Sequence, residues 1–158
     1  MIENAGEHIR YLSAGKSKEG ASGMNWKYLV SWIPGIPIAI LNGILRNSIY
    51  REFLSELHAH QLSTVSFIVF FGIYVWFILK WLKLSSAQEA FRLGLIWLVL
   101  TVAFEFLFGH FVMGNSWVSL FHDYNLLAGR VWVLVLIWIA AAPSIFFRMQ
   151  SGRLRSSV

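Results

Sequence analysis

The sequence predicts an all-α fold, an integral membrane bundle of four transmembrane helices, and three observations carry that expectation. Over the 158 residues, 57% are hydrophobic and 13% charged, with a mean hydropathy of +0.60. A soluble chain would be about 45–50% apolar and about 25% charged. The apolar residues are gathered into four runs near the ~20 residues that a helix needs to cross a bilayer: Tyr28 to Leu45, Leu62 to Leu82, Leu93 to Met113 and Leu126 to Phe147. Finally, Lys and Arg flank these runs and do so unequally. With the N-terminus cytoplasmic, Arg10, Lys16, Lys18, Lys27, Lys80, Lys83, Arg92, Arg148, Arg153 and Arg155 fall on the inner side, and Arg46, Arg51 and Arg130 on the outer. That bias places both termini in the cytoplasm.

Before the first run, residues 1–25 read as a cytosolic polar tail with a short helical stretch around Glu7 to Leu12 and a solvated His8. Residues 151–158 read as a basic cytosolic tail. No apolar core precedes Trp26, so this start does not resemble a secretory signal. The chain has no cysteine, which excludes disulfides, thiolate metal sites and Cys nucleophiles. The net charge of +5 fits topology and anionic lipid rather than nucleic acid, because the basic residues border apolar runs.

In the first run, Pro34-Gly35-Ile36-Pro37 removes two amide donors and predicts a kink or break, with carbonyls freed near Val30 and Ile33. No internal repeat is evident, and this Pro-interrupted run has no counterpart in the second half. Between the first two runs, Ile49, Phe53, Leu54 and Leu57 recur at helical spacing opposite Arg51, Glu52, Ser55 and Glu56, which predicts a short helix at the outer interface. Ser86-Ala87-Gln88-Glu89 has the spacing of a capping box and predicts the start of the third helix. Asp123 is placed to cap the fourth. The short connections predict that sequential helices pack as antiparallel neighbours.

Glu105 lies in the middle of the third run, where a carboxylate costs roughly 2.5–3.5 kcal/mol on insertion scales. Arg130 is the basic residue embedded in another run. Measured along ideal helices, Glu105 lies about 12 Å and Arg130 about 6 Å below the outer helix ends, so facing side chains would meet. One reading is an ion pair that docks helices three and four. The other is an outward-facing pocket in which Arg130 holds an anionic group, Glu105 orients it, and Asn42, His60 and His110 line the mouth. Arg46, at the end of the broken helix, and Tyr124 share that outer side. Thr101 and Gly109 flank Glu105 on its own face, a small-polar stripe suited to close packing. His110 lies ~140° round the helix from Glu105, which places it at the mouth rather than beside the carboxylate.

The expected function is a binding or accessory protein for a small anionic or amphiphilic ligand, a lipid or a partner subunit. Besides the bilayer, its partners would be that ligand or subunit, an oligomer being compatible and nucleic acid not expected. One alternative is a membrane-embedded enzyme with Glu105 as acid or base and a metal held by outer histidines. The other is a structural subunit with no ligand site. No catalytic spacing or metal-ligand set is specified by the motifs, and no cofactor is named by them.

Phe104-Glu105, Gly109-His110, Gly114-Asn115-Ser116-Trp117, Asp123-Tyr124-Asn125 and Gly129-Arg130 resemble the signature of an uncharacterised family of small four-span bacterial inner-membrane proteins. Asn42-Gly43 with Arg46, and Ala59-His60-Gln61-Leu62-Ser63, are similar to it as well, so the resemblance spans roughly residues 35–147. It implies a four-span bacterial membrane protein whose polar positions are those already singled out, and it attaches no activity to them.

Overall fold

Serine side chains start two of the long helices in the computed structural model, which describes residues 26–122 and 124–155. The expected helical stretch at Glu7 to Leu12, His8 and the Asp123 cap lie outside the described residues. The elements are α1 (Trp26–Val30), α2 (Gly35–Leu45), α3 (Arg51–Phe53), α4 (Glu56–Leu82), α5 (Ala87–Leu107), α6 (Trp117–His122) and α7 (Trp132–Arg155). Wide π turns, Arg46–Tyr50 and Phe108–Val112, extend α2 and α5, and a 3₁₀ turn, Leu126–Ala128, precedes α7. Four helices are long and apolar enough to cross a membrane: Trp26–Phe53, Glu56–Leu82, Ala87–Val112 and Trp132–Gly152.

The caps follow local chemistry. Ser86 Oγ accepts from the Glu89 amide at 3.2 Å, and the Glu89 carboxylate accepts from the Ser85 amide at 2.8 Å, so the expected capping box is present with its return bond shifted by one residue. Ser55 does the same for α4, accepting from the His58 amide at 3.4 Å. At its other end α4 stops on Lys83, which adopts a left-handed conformation (φ 50°).

The proline segment breaks the first span, but the freed carbonyls differ from those expected. The amides of Trp32, Ile33, Gly35 and Ile36 turn back three residues rather than four, to Leu29, Val30, Trp32 and Ile33. This tightening occupies the Val30 and Ile33 carbonyls and leaves those of Tyr28 and Ser31 without their usual amide donors. Trp97 Nε1 on α5 donates to the Tyr28 carbonyl at 2.9 Å, and the Tyr74 hydroxyl on α4 donates to that of Ser31. Nearby, Trp32 Nε1 donates to Thr101 Oγ1 at 3.0 Å. The break is therefore sewn to the second and third spans by side-chain donors, as hydrocarbon surroundings require.

Two further expectations are corrected. The residues expected to form a separate interfacial helix are divided: 46–53 continue the first span, and Glu56 already belongs to α4, with the reversal at Leu54–Ser55. The fourth span starts at Trp132 rather than Leu126, because Asn125 caps the short Leu126–Ala128 turn and Gly129 (φ 75°) redirects the chain. That span also contains a proline, Pro143, buried inside α7, but the helix runs through it unbroken, so the interrupted first span has no counterpart there.

Packing departs from sequence order as well. α7 lies along both α5 and α4, while α2 packs on α4 and α1 on α5. Consecutive helices α4 and α5 meet through large rings, Phe71 and Tyr74 against the fully buried Trp97 at centroid distances of 5.8 and 6.1 Å. Those rings hold the two backbones apart, whereas α5 and α7 close together at Gly94. The core comprises Phe67, Phe71, Val75 and Leu79 of α4, Leu93 and Trp97 of α5, and Val135 and Ile139 of α7. Along α4 the outward stripe Val65, Val69, Ile73 and Phe77 is as apolar as the inward one and more than half exposed, which in water would be a liability and in lipid is the expected surface.

Candidate functional site: an arginine-lined polar pocket

Polar side chains converge at the end of the bundle away from Trp26 and Gly152. The π turn at Arg46–Tyr50 accommodates an extra residue before the chain reverses, and the Tyr50 hydroxyl pins it to Ser66 Oγ of α4 at 2.7 Å. Arg46, Asn47 and Arg51 thereby face the first turns of α4, which carry Glu56 and the buried His60. From the other side come Asn115, Ser119 and His122 around α6, and Arg130 from the link ahead of α7. Together they line a cavity of about 270 Å³.

The electrostatics of this cavity are one-sided. Among the described residues, three guanidinium groups face it against a single carboxylate, Glu56. Arg130 donates to Glu56 Oε1 at 3.1 Å, and Arg51 lies 4.0 Å from Oε2. Only 19% of the Arg130 side chain is exposed, against 62% for Glu56, so the arginine is held in place while its acidic partner faces outward. Arg130 is positioned by its backbone: its amide donates to the Asn125 carbonyl at 3.3 Å, and Gln61 Nε2 bonds the preceding Gly129 carbonyl at 3.3 Å.

Of the residues singled out from sequence, Arg46, His60 and Arg130 line this pocket. Glu105 accepts a 2.6 Å hydrogen bond from the Tyr124 hydroxyl, which joins the end of the third span to the loop beyond α6. Arg130 is not a turn deep in the fourth helix, as expected, but just ahead of it, and the ion pair described for it is with Glu56. The buried Asn42 docks α2 on α4 by donating to the Ser63 carbonyl at 2.9 Å. Thr101 receives the Trp32 indole from the first span, and Gly109 packs beneath Leu120, where a Cβ would meet Leu120 Cδ2 at 2.7 Å. His110 stacks on Trp117 at 4.0 Å with Nδ1 2.8 Å from the Asn115 carbonyl oxygen, so it braces the rim.

The histidines weighed as metal ligands diverge. His58 Nδ1 lies 2.7 Å from Ser55 Oγ on the exposed face of α4, while His60, two residues on, points to the buried one. Among the described residues no group of three His, Asp or Glu side chains comes together to hold a metal ion.

Sequence reasoning overlooked Glu56 as the partner of Arg130, reading it as part of the polar side of an interfacial helix. Asn47 and Ser119 were not singled out either, and Asn115 entered only within the resemblance motif. Their only signal was proximity to the predicted outer ends of the spans, which many polar residues share.

A multi-pass helical bundle with four membrane-length spans and a basic pocket at one end is the class of protein that this fold and site define. No known family, curated protein or solved structure matches the chain.

Proposed function

We propose that the protein is a binding or accessory protein of the bacterial cytoplasmic membrane that holds an anionic group in the arginine-lined pocket, with both termini cytoplasmic and the pocket facing outward. The observation that carries this reading is the convergence of Arg46 and Arg51, from the end of the first span, and Arg130, from the link ahead of the fourth, on one cavity with a single carboxylate among the described residues. Guanidinium forks match phosphate and carboxylate oxygens, and each such hydrogen bond is charge-assisted. Asn47, Asn115 and Ser119 supply neutral polar groups around the same space. Glu56 bridges Arg51 and Arg130 and yields to an incoming anion because its side chain is largely exposed. The ligand class is a small phosphate or carboxylate, free or as the head of an amphiphile. A partner subunit would have to present the same acidic chemistry.

The test is isothermal titration of the detergent-purified full chain with inorganic phosphate and with acetate. Saturable binding that weakens with salt is expected, with Arg130→Ala and Arg46→Ala each losing at least tenfold in affinity, in line with about 1.5–3 kcal/mol for a hydrogen bond to a charged group. Absence of saturable binding of either anion, with the bundle folded, would refute the reading.

A further inference from the structure

At the other end of the molecule, α5 and α7 leave a second cavity of different character. Phe91 and Leu98 of α5 and Leu136, Ile137, Ala141 and Ile145 of α7 wall an open apolar groove of about 720 Å³. It exists because the residues at the seam are small. Gly94 lets the two backbones touch at Ala140, and Ala87, Ala141 and Ser144 leave space on either side of that contact. Arg148 closes the groove at the end nearest the termini. Both ion pairs found among the described residues are on Glu56, at the opposite end of the bundle, so Arg148 brings a positive charge to the groove that no described carboxylate pairs with. One turn deeper, Ser144 Oγ is buried without a hydrogen-bond partner among the described residues.

We infer that this groove is a binding site for one anionic phospholipid, with an acyl chain along the α5–α7 seam and the phosphate on Arg148. Length supports that occupant. Twelve residues of α7 separate Leu136 from Arg148, about 18 Å of helix, close to half of the ~30 Å hydrocarbon thickness. The groove therefore spans a single leaflet. Charge supports it too: Lys80, Lys83 and Arg92 occupy the same end of the bundle, so the headgroup region there is basic and attracts anionic lipid. The chemistry also changes in the right order with depth. A phosphate meets a guanidinium at the headgroup end, and deeper in the groove the acyl chain meets apolar walls. A transmembrane helix from a second copy would fill the apolar part and leave Arg148 unanswered.

The experiment is native mass spectrometry of the full chain purified in neutral detergent and titrated with phosphatidylglycerol or phosphatidylcholine, with the melting temperature of each variant in lipid-free detergent as a folding control. One retained phosphatidylglycerol per chain is expected, with phosphatidylcholine retained much less. Arg148→Gln should reduce the preference for phosphatidylglycerol roughly tenfold. Ala141→Phe, which fills the groove and keeps Arg148, should abolish retention of both. Because the chain has no cysteine, Ala141→Cys gives a single reactive position. Equal retention of the two lipids, retention unaffected by Ala141→Phe, or efficient disulfide-linked dimers of the Ala141→Cys protein would each overturn the inference, the last by putting a second copy in the groove.

Discussion

A Cβ placed on Gly94 would lie 2.1 Å from the carbonyl oxygen of Ala140, so α5 and α7 meet there backbone to backbone. Such an approach lets dispersion and weak Cα–H···O contacts act between helices in lipid, where a hydrophobic driving force between spans is missing. Gly94→Ala should destabilise the bundle by roughly 1–3 kcal/mol, read as a lower melting temperature in detergent. Since the clash is with main chain, adding Ala140→Gly should restore little. Full rescue by that second change would show that the Ala140 side chain, and not its backbone, sets the spacing.

Tyr74 supplies the donor for the Ser31 carbonyl at the proline break. Tyr74→Phe keeps the ring against Trp97 and removes that donor, leaving a carbonyl unsatisfied in the half-buried interior at a cost of about 1–3 kcal/mol. Thermal denaturation of the variant should register that loss. An unchanged melting temperature would mean that the broken segment finds another donor.

Glu105 and Tyr124 form the 2.6 Å bond that ties the third span to the loop before Arg130. Glu105→Gln retains an acceptor for the hydroxyl, whereas Glu105→Ala removes it, so the glutamine variant should keep more of the wild-type stability. Tyr124→Phe should resemble the alanine variant, with a loss of about 1.5–3 kcal/mol if the acceptor is charged. The ranking of the three melting temperatures is the measurement.

Glu56 neutralises part of the charge that an anion would use. Glu56→Gln should therefore leave stability nearly unchanged, because the pair is solvent-exposed on its acidic side, and should strengthen phosphate binding several-fold at low salt. Titration calorimetry at two ionic strengths checks both the sign and the screening. Weaker binding would assign Glu56 a direct role in holding the ligand.

Lys83 ends α4 in the left-handed region, where a side chain is strained and glycine is not. Lys83→Gly should stabilise the protein by about 0.5–1 kcal/mol, visible as a raised melting temperature.

What could be read in advance was local. The Ser86 and Glu89 cap depends on residues three apart, and the break at Pro34 follows from a missing amide, so each was visible without neighbours. The start of the fourth helix was harder. Leu126 to Ala128 is apolar enough to continue the run, and only the positive φ of Gly129 and the Asn125 cap separate it from α7. That misplacement moved Arg130 into the hydrocarbon on paper and made Glu105 look like its natural partner. Pro143, by contrast, interrupts nothing, because α7 carries it through in a buried position.

The sequence by itself determined that the chain forms four membrane-length helices, where the first breaks, and that Lys and Arg divide unequally between the two sets of helix ends, since length, apolarity, missing amides and position along the chain are one-dimensional properties. Only the tertiary structure decided which helices touch and which charges meet. Those outcomes depend on side-chain volume across a seam, such as Trp97 holding α4 from α5 while Gly94 admits α7, and on the backbone turn that delivers Arg130 to Glu56. Both are relations between residues far apart in the chain, and no periodicity or spacing within a single segment encodes them.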